Sequence, residues 1–207
     1  MKFFTKKILP KQFVKNFKIY RILKKWGKNN FLENAPQLIK EFVFEKYGLV
    51  NAPWVETGTF LGNTTNFLRD RYPHVYTIEP EIKLYNAALK RFNGKNVTLY
   101  NDVSENVFPK LLKNLSGNIN FWLDGHYSEG ITFKGKTDCP VEDELNSIEV
   151  NLNNFNKITI LIDDVRCFLP ENSKYSDYPS IDYLVDWARR FNMRWRIEHD
   201  IFVIQKD

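Results

Sequence analysis

After residue 50 the chain alternates short apolar runs, each ending in a polar or acidic residue, with amphipathic stretches. That alternation is the pattern of βα units feeding a mostly parallel sheet, and it limits the fold to the α/β class. Strands are predicted at Trp54 to Glu56, Val75 to Ile78, Val97 to Tyr100, Asn120 to Leu123 and Thr159 to Ile162. Helices are predicted at Thr64 to Arg71, Ile82 to Phe92, Glu105 to Leu115, Val141 to Asn151 and Ile181 to Phe191, the last beginning after Ser180. Two final apolar runs, Trp195 to Glu198 and Ile201 to Gln205, are separated by only His199 and Asp200 and predict an antiparallel hairpin. Asn151 to Asn156 is expected to be a polar loop.

Two further amphipathic stretches, Gln12 to Trp26 and Ala35 to Tyr47, precede the first strand. The expected organisation is a basic helical extension or lid over residues 1–49 and one α/β domain over residues 50–207. A length of 207 residues suits a single core.

Charge divides the chain in the same way. Residues 1 to 30 carry ten Lys/Arg and no acid, whereas residues 31 to 207 carry twenty Lys/Arg against twenty-five Asp/Glu. The basic segment is interleaved with Phe3, Phe4, Phe13, Phe17, Tyr20 and Ile22, a pattern compatible either with a solvated helix face or with an anionic surface. No stretch reaches the roughly 18 apolar residues of a membrane span, and none has the uninterrupted apolar run of a secretory signal. A cytoplasmic location, with peripheral membrane contact through the basic segment, is the expectation. Cys139 and Cys167 are the two cysteines, too few for a disulfide framework or a zinc cluster.

The chemistry is concentrated at strand ends. In Glu56-Thr57-Gly58-Thr59-Phe60-Leu61-Gly62-Asn63-Thr64-Thr65 an apolar strand ends in an acid, turns through two glycines and opens a helix. Gly58 and Gly62 would let backbone approach a ligand, and N–H groups near Thr64 would face an anionic group. The spacing is neither Gly-x-Gly-x-x-Gly nor a P-loop. Glu79, about twenty residues on, is placed to accept from ribose hydroxyls. Asp102, Val103 and Ser104 close the third strand, with Asp102 beside an adenine or capping the next helix. Asp124, Asp163 and Asp164 end two strands that should be neighbours, and converging carboxylates need protons or a cation between them. His126 is either a general base or a hydrogen-bonded loop residue. Glu142, Asp143 and Glu144 are expected to decorate a helix N-terminus. The loop from Ser128 to Pro140, with Gly130, Lys134, Gly135 and Lys136, is expected to close over substrate.

These motifs together resemble the class I S-adenosylmethionine-dependent methyltransferases. The resemblance spans about residues 50 to 207, through the Glu-Thr-Gly-Thr turn, Glu79, Asn101 to Ser104, Phe121 to Ser128 and Ile160 to Asp164. Leu123 to Ser128, Asp138 to Leu145 and Ile162 to Phe168 are similar to a bacterial branch associated with surface-glycan pathways.

The resemblance implies a three-layer Rossmann-like sandwich with a seven-stranded, mostly parallel sheet. It places the methionine part of the cofactor near Glu56, Gly58 and Thr59, and the sulfonium by the loop after Asp124. Similarity to Mg-dependent O-methyltransferases of sugars implies a divalent metal on Asp124, Asp163 and Asp164, His126 and Asp124 as the catalytic pair, and a small-molecule or glycan acceptor.

Two alternatives remain at this stage. A nicotinamide-dependent oxidoreductase or epimerase is disfavoured by the glycine spacing and by the lack of a Tyr-x-x-x-Lys pair near the site. A nucleic-acid methyltransferase or binding module would use the basic N-terminus, but the sequence lacks Asn-Pro-Pro-Tyr and residues 31 to 207 are net acidic.

Overall fold

The computed structural model describes residues 11–29, 34–126, 138–169 and 177–207. Two N-terminal helices, α1 (Lys11–Lys28) and α2 (Gln37–Tyr47), lead into β1 (Trp54–Thr57), α3 (Asn63–Arg69), β2 (Val75–Ile78), α4 (Ile82–Phe92), β3 (Val97–Tyr100), α5 (Ser104–Leu111) and β4 (Gly117–Leu123). Then follow α6 (Val141–Val150), β5 (Phe155–Ile162), α7 (Ile181–Arg190), β6 (Arg194–Glu198) and β7 (Ile201–Lys206). The sheet order is β3-β2-β1-β4-β5-β7-β6. Strands β1 to β5 pair in parallel, and β7 enters antiparallel between β5 and β6. This is the seven-stranded mixed sheet with the terminal hairpin that the sequence pattern implies.

Two apolar layers hold the sheet. On one face α5, α6 and α7 pack over Val55, Ile78, Phe121, Leu123, Ile160 and Ile162. On the other, α2 and α3 cover Trp54, Val75, Trp122 and Leu161. The alternation is the period-2 rule of a strand: Val55 faces one layer and Trp54 the other. Both faces are covered, so the central strands are apolar throughout rather than alternately polar.

Helix α2 packs as part of this sandwich, with Val43, Phe44 and Tyr47 in the core. Phe44 meets Trp54 edge-on at 5.5 Å and Trp122 at 4.8 Å. Its carbonyl also accepts a hydrogen bond from the Tyr72 hydroxyl at 2.9 Å.

The largest departures from the expected boundaries are in two places. Asn151 to Asn156 is not all loop: a 3₁₀ turn at Leu152–Asn154 runs directly into β5. Phe155 is buried against Phe121, 6.1 Å between ring centroids, and pairs with Gly117 ahead of a register shift, which starts both strands earlier than their polar residues indicate. The helix expected at Glu105 to Leu115 ends at Leu111 and tightens into a 3₁₀ turn at Leu112–Asn114. No helix among the described residues is long and apolar enough to cross a membrane.

Phe44 is fully buried between two tryptophans. Phe44→Ala should therefore destabilise the fold by about 3–5 kcal/mol, read as a lower urea midpoint. An unchanged midpoint would mean that α2 does not anchor the sheet.

Candidate functional site

The strand order reverses between β1 and β4, and in open α/β sheets ligands bind where it does so, beyond the carboxyl ends of the strands. Register fixes what stands there. Thr57 pairs with Ile78 and with Leu123, and Leu123 pairs with Ile162. The next residue of each strand forms a row across the edge: Glu79 on β2, Gly58 on β1, Asp124 on β4 and Asp163 on β5. Strand parity directs Glu79, Asp124 and Asp163 to the α2/α3 side, with Glu56 beneath them on β1. The row is thus carboxylate, glycine, carboxylate, carboxylate. Glu79 and Asp124 are two strand spacings apart, about 10 Å.

The left part of this row is held by the chain itself. Glu79 is buried and accepts from the backbone N–H of Phe60 at 2.7 Å and of Glu81 at 3.0 Å. Phe60 has φ 48°, a left-handed conformation costly for an aromatic residue, and its bond to Glu79 helps fix it. The N–H groups of Gly58 and Thr59 both donate to the Ile78 carbonyl. Gly58 (φ 82°) is required because a Cβ would run into the Asp124 carbonyl. At Gly62 (φ 71°) a Cβ would come within 2.8 Å of the Phe92 ring. Both glycines thus serve close approach within the protein.

Glu56 is completely buried. Thr65 donates to its Oε2 at 2.5 Å, while Oε1 has no partner among the described residues. Burial pushes its pKa up to about 8, with the bond from Thr65 opposing. Burial also raises Glu79. Thr59 and Thr77 share a 2.6 Å hydroxyl bond, and Thr64 Oγ1 accepts from Gln37 at 3.3 Å. Asp102 is exposed, and its Oδ1 accepts from the Val103 N–H and from Asn106, both at 2.8 Å, so it braces the start of α5. The bond from Asn106, with that from Val103, lowers its pKa.

The right part of the row is a chain of alternating charges. Lys40 of α2 pairs with Asp163 and lies 3.5 Å from Asp124. His126 Nδ1 faces Asp124 at 3.5 Å, and its Nε2 is 2.8 Å from Asp164. Arg166 pairs with Asp164 at 2.7 Å and with Asp200, and also donates to Asn34. Burial disfavours the Lys40 ammonium, but Asp124 and Asp163 outweigh it and hold its pKa above the ordinary value. Burial disfavours the His126 imidazolium too, yet the bond to Asp164 and the nearby carboxylates raise it to about 9. Asp164 is driven well below its usual range, against burial, by His126 and Arg166. Asp163 moves upward through burial and the charge of Asp124.

Two expectations are corrected here. Asp124, Asp163 and Asp164 do converge, but Lys40, His126 and Arg166 take the neutralising place assigned to a divalent metal. Among the described residues no group of three or more His, Cys, Asp or Glu is arranged to hold an ion. His126 is not a free base: both ring nitrogens face carboxylates, which hold its pKa above the ordinary value.

Lys40 and Glu144 were not singled out by the sequence motifs as site residues. Glu144 lies in the first turn of α6, as the sequence predicts, but within its buried stripe. It is buried, which pushes its pKa up to about 7 while hydrogen bonds from Ser104 and Thr57 oppose the rise, and its Oε1 has no partner among the described residues. Both residues occupy core positions of amphipathic helices, Lys40 with Val43, Phe44 and Tyr47, and Glu144 with Val141, Leu145 and Ile148. A charge within a buried stripe was the available signal. Most of the Ser128 to Pro140 loop, with Gly130, Lys134, Gly135 and Lys136, lies outside the described residues.

No family model matches the chain, and no curated protein matches it in sequence. Solved structures do match in shape. The 23S rRNA methyltransferase ErmE is 12% identical over 83% of this chain and 68% of its own, with a TM-score of 0.52. The N-methyltransferase NodS from Bradyrhizobium japonicum WM9 is 9% identical over 80% of this chain and 92% of its own, with a TM-score of 0.52. A SAM-dependent methyltransferase from Leishmania major is 11% identical over 81% and 71%, with a TM-score of 0.51. The chain has the methyltransferase Rossmann-like fold.

The charge chain makes stability depend on pH. His126, raised from 6.5 to about 9, contributes stability that is complete below about pH 6.5 and lost as pH rises through 9. Glu56 and Glu144, raised from 4.5 to about 8 and about 7, also erode stability as pH rises. Urea unfolding should therefore show a fall between pH 6.5 and 9, with His126 accounting for on the order of 3 kcal/mol. His126→Gln should flatten that limb. A variant with the same slope as the parent would show that His126 is not held as a cation.

Proposed function

We propose that the chain is an S-adenosylmethionine-dependent methyltransferase that methylates a hydroxyl of a small polyhydroxylated acceptor, a sugar or a glycan unit. The observation that carries this reading is the set of acids gathered around Gly58, where the strand order reverses. Glu56, with its orphaned Oε1, lies beneath it, and Glu79 and Asp124 flank it. The main influences on Glu56 and Glu79 are burial, hydrogen bonds and neighbouring acids. Such a site suits a ligand that carries cationic groups and a vicinal diol. S-adenosylmethionine has an ammonium, a sulfonium and a ribose, and it supplies an electrophilic methyl group when bound.

Each carboxylate oxygen of Glu79 already accepts one backbone N–H and retains a lone pair, so it can take ribose hydroxyls without losing its hold on the turn. The unpartnered Oε1 of Glu56 is the acceptor for the ammonium of the cofactor. Thr57 Oγ1 accepts from the Asp124 N–H at 3.1 Å and fixes the β4 end against β1. Thr59, Gly62, Thr64 and Thr65 shape the turn beneath the cofactor, and Asp102, Val103 and Ser104 border the adenine end.

On the acceptor side, Asp124 is the accessible carboxylate of the charge chain, with its side chain 24% exposed against 0% for Asp163 and 3% for Asp164. It is the group placed to take the proton of an acceptor hydroxyl. Lys40 and His126, both cations, stabilise the oxygen as negative charge develops on it. Their arrangement is pre-set by Asp163 and Asp164, so little reorganisation accompanies the reaction. A surface dense in charged hydrogen-bonding groups matches an acceptor bearing several hydroxyls. The names of the structural neighbours, which include a SAM-dependent methyltransferase, support the cofactor assignment.

Titration calorimetry with S-adenosylhomocysteine tests the reading: binding in the micromolar range is expected, at least tenfold weaker for Glu79→Gln. Asp124→Asn should keep affinity within about threefold while lowering methyl transfer by about 10²-fold or more. Absence of heat and of any melting shift at millimolar ligand would overturn the cofactor assignment.

A further inference from the structure

We propose that α1 is a docking element for an anionic lipid surface, seated at the lip of the sheet's carboxyl edge. The inference does not depend on the catalytic reading. Helix α1 carries Lys11, Lys15, Lys18, Arg21, Lys24, Lys25 and Lys28 and no acid. Its inner stripe is Ile19, Leu23 and Trp26, half-buried or buried. At about 100° per residue, Lys18, Arg21, Lys25 and Lys28 fall within about 80° of one another and opposite that stripe. The outward face is therefore cationic by construction.

Apolar groups flank this face. Phe17 is 54% exposed and Ile22 39% exposed, one on each margin of the cationic stripe. Ordinary solvation does not account for large apolar side chains at both edges of a row of lysines. A bilayer accounts for both features: headgroup phosphates meet the cations, and the margins sink to the acyl boundary. A nucleic acid could stack on Phe17 but gains nothing from Ile22, and its phosphates would be repelled by the remainder of the chain, which is net acidic. An 18-residue helix gives about 27 Å of straight contact line, which a flat surface accepts along its whole length.

The position of α1 links the surface to the site. Trp26 packs on His199, 5.6 Å between rings, in the turn joining β6 to β7. The next residue, Asp200, pairs with Arg166 at the end of the charge chain. A protein lying on α1 would hold its carboxyl edge near the lipid surface, where an acceptor carried by a lipid would be presented.

Vesicle co-sedimentation of the full chain tests this. The probes are phosphatidylcholine vesicles, alone or with about one third phosphatidylglycerol, at about 0.1 M and about 0.5 M salt. Binding is expected only to the anionic vesicles, and most of it should be lost at high salt. Neutralising three outward charges (Lys18→Gln, Arg21→Gln and Lys25→Gln together) should lower partitioning on the order of a hundredfold, with an unchanged melting temperature showing that the fold is intact. Should that variant not fold, the pair Lys18→Glu and Lys28→Glu makes the same test. Phe17→Ser with Ile22→Ser should weaken the salt-resistant remainder. The proposal is overturned by equal binding to neutral vesicles, by undiminished binding of a folded charge variant, or by tighter binding to single-stranded RNA than to anionic vesicles at the same salt.

Discussion

Three acids end neighbouring strands on one face of the sheet with a fourth, Glu56, one step beneath, and their mutual repulsion is the constraint around which the rest of this structure is arranged. Glu56, Glu79, Asp124 and Asp163 follow from strand parity and register, not from loop conformation, so the fold cannot form without placing them together. Two remedies are visible. On the β4/β5 side, Lys40 and His126 are brought in from outside the sheet, and Arg166 extends the alternation to Asp200. On the β1/β2 side Glu79 is stabilised by backbone N–H groups, and Glu56 by Thr65 and by a raised pKa. The asymmetry matters for function. The β4/β5 side is already neutralised by the protein, while the β1/β2 side retains capacity for a cationic ligand.

Much of this was legible in the sequence because it rests on local periodicity. Val75 to Ile78, Val97 to Tyr100 and Ile82 to Phe92 have the bounds the pattern predicts, since turn residues flank them on both sides. The acids at strand ends were legible for the same reason. What escaped was set by tertiary contact. Lys40 belongs to a helix that sequence alone assigns to an N-terminal extension, and it reaches Asp124 and Asp163 across 84 and 123 residues. The protonation of His126 depends on Asp164, whose left-handed backbone at φ 58° bends it out of the strand's alternation toward the imidazole. A local motif carries neither fact. The metal expected on the three aspartates was a sound inference from repulsion alone, and the cations that relieve it come from parts of the chain that repulsion does not identify.

The glycines illustrate how one residue type serves two readings. Gly58 and Gly62 stand where a nucleotide-type turn would have them, yet both accommodate the protein's own atoms, the Asp124 carbonyl and the Phe92 ring. In the proposed reading, recognition falls to the acids around Gly58, at the point where strand order reverses. The bent turn that follows, with Phe60 in a left-handed conformation, is fastened to Glu79. In the proposed enzyme the same carboxylate both shapes the cleft and contacts the ribose, so turn geometry and cofactor affinity should be inseparable.

The most direct test is a crystal structure grown with S-adenosylhomocysteine. The account predicts density over the β1 and β4 carboxyl ends, with the ribose hydroxyls on Glu79, the amino group toward Glu56 and the sulfur facing Asp124. Density elsewhere, or a cleft at Gly58 closed by protein with Glu79 engaged only with Phe60 and Glu81, would contradict it.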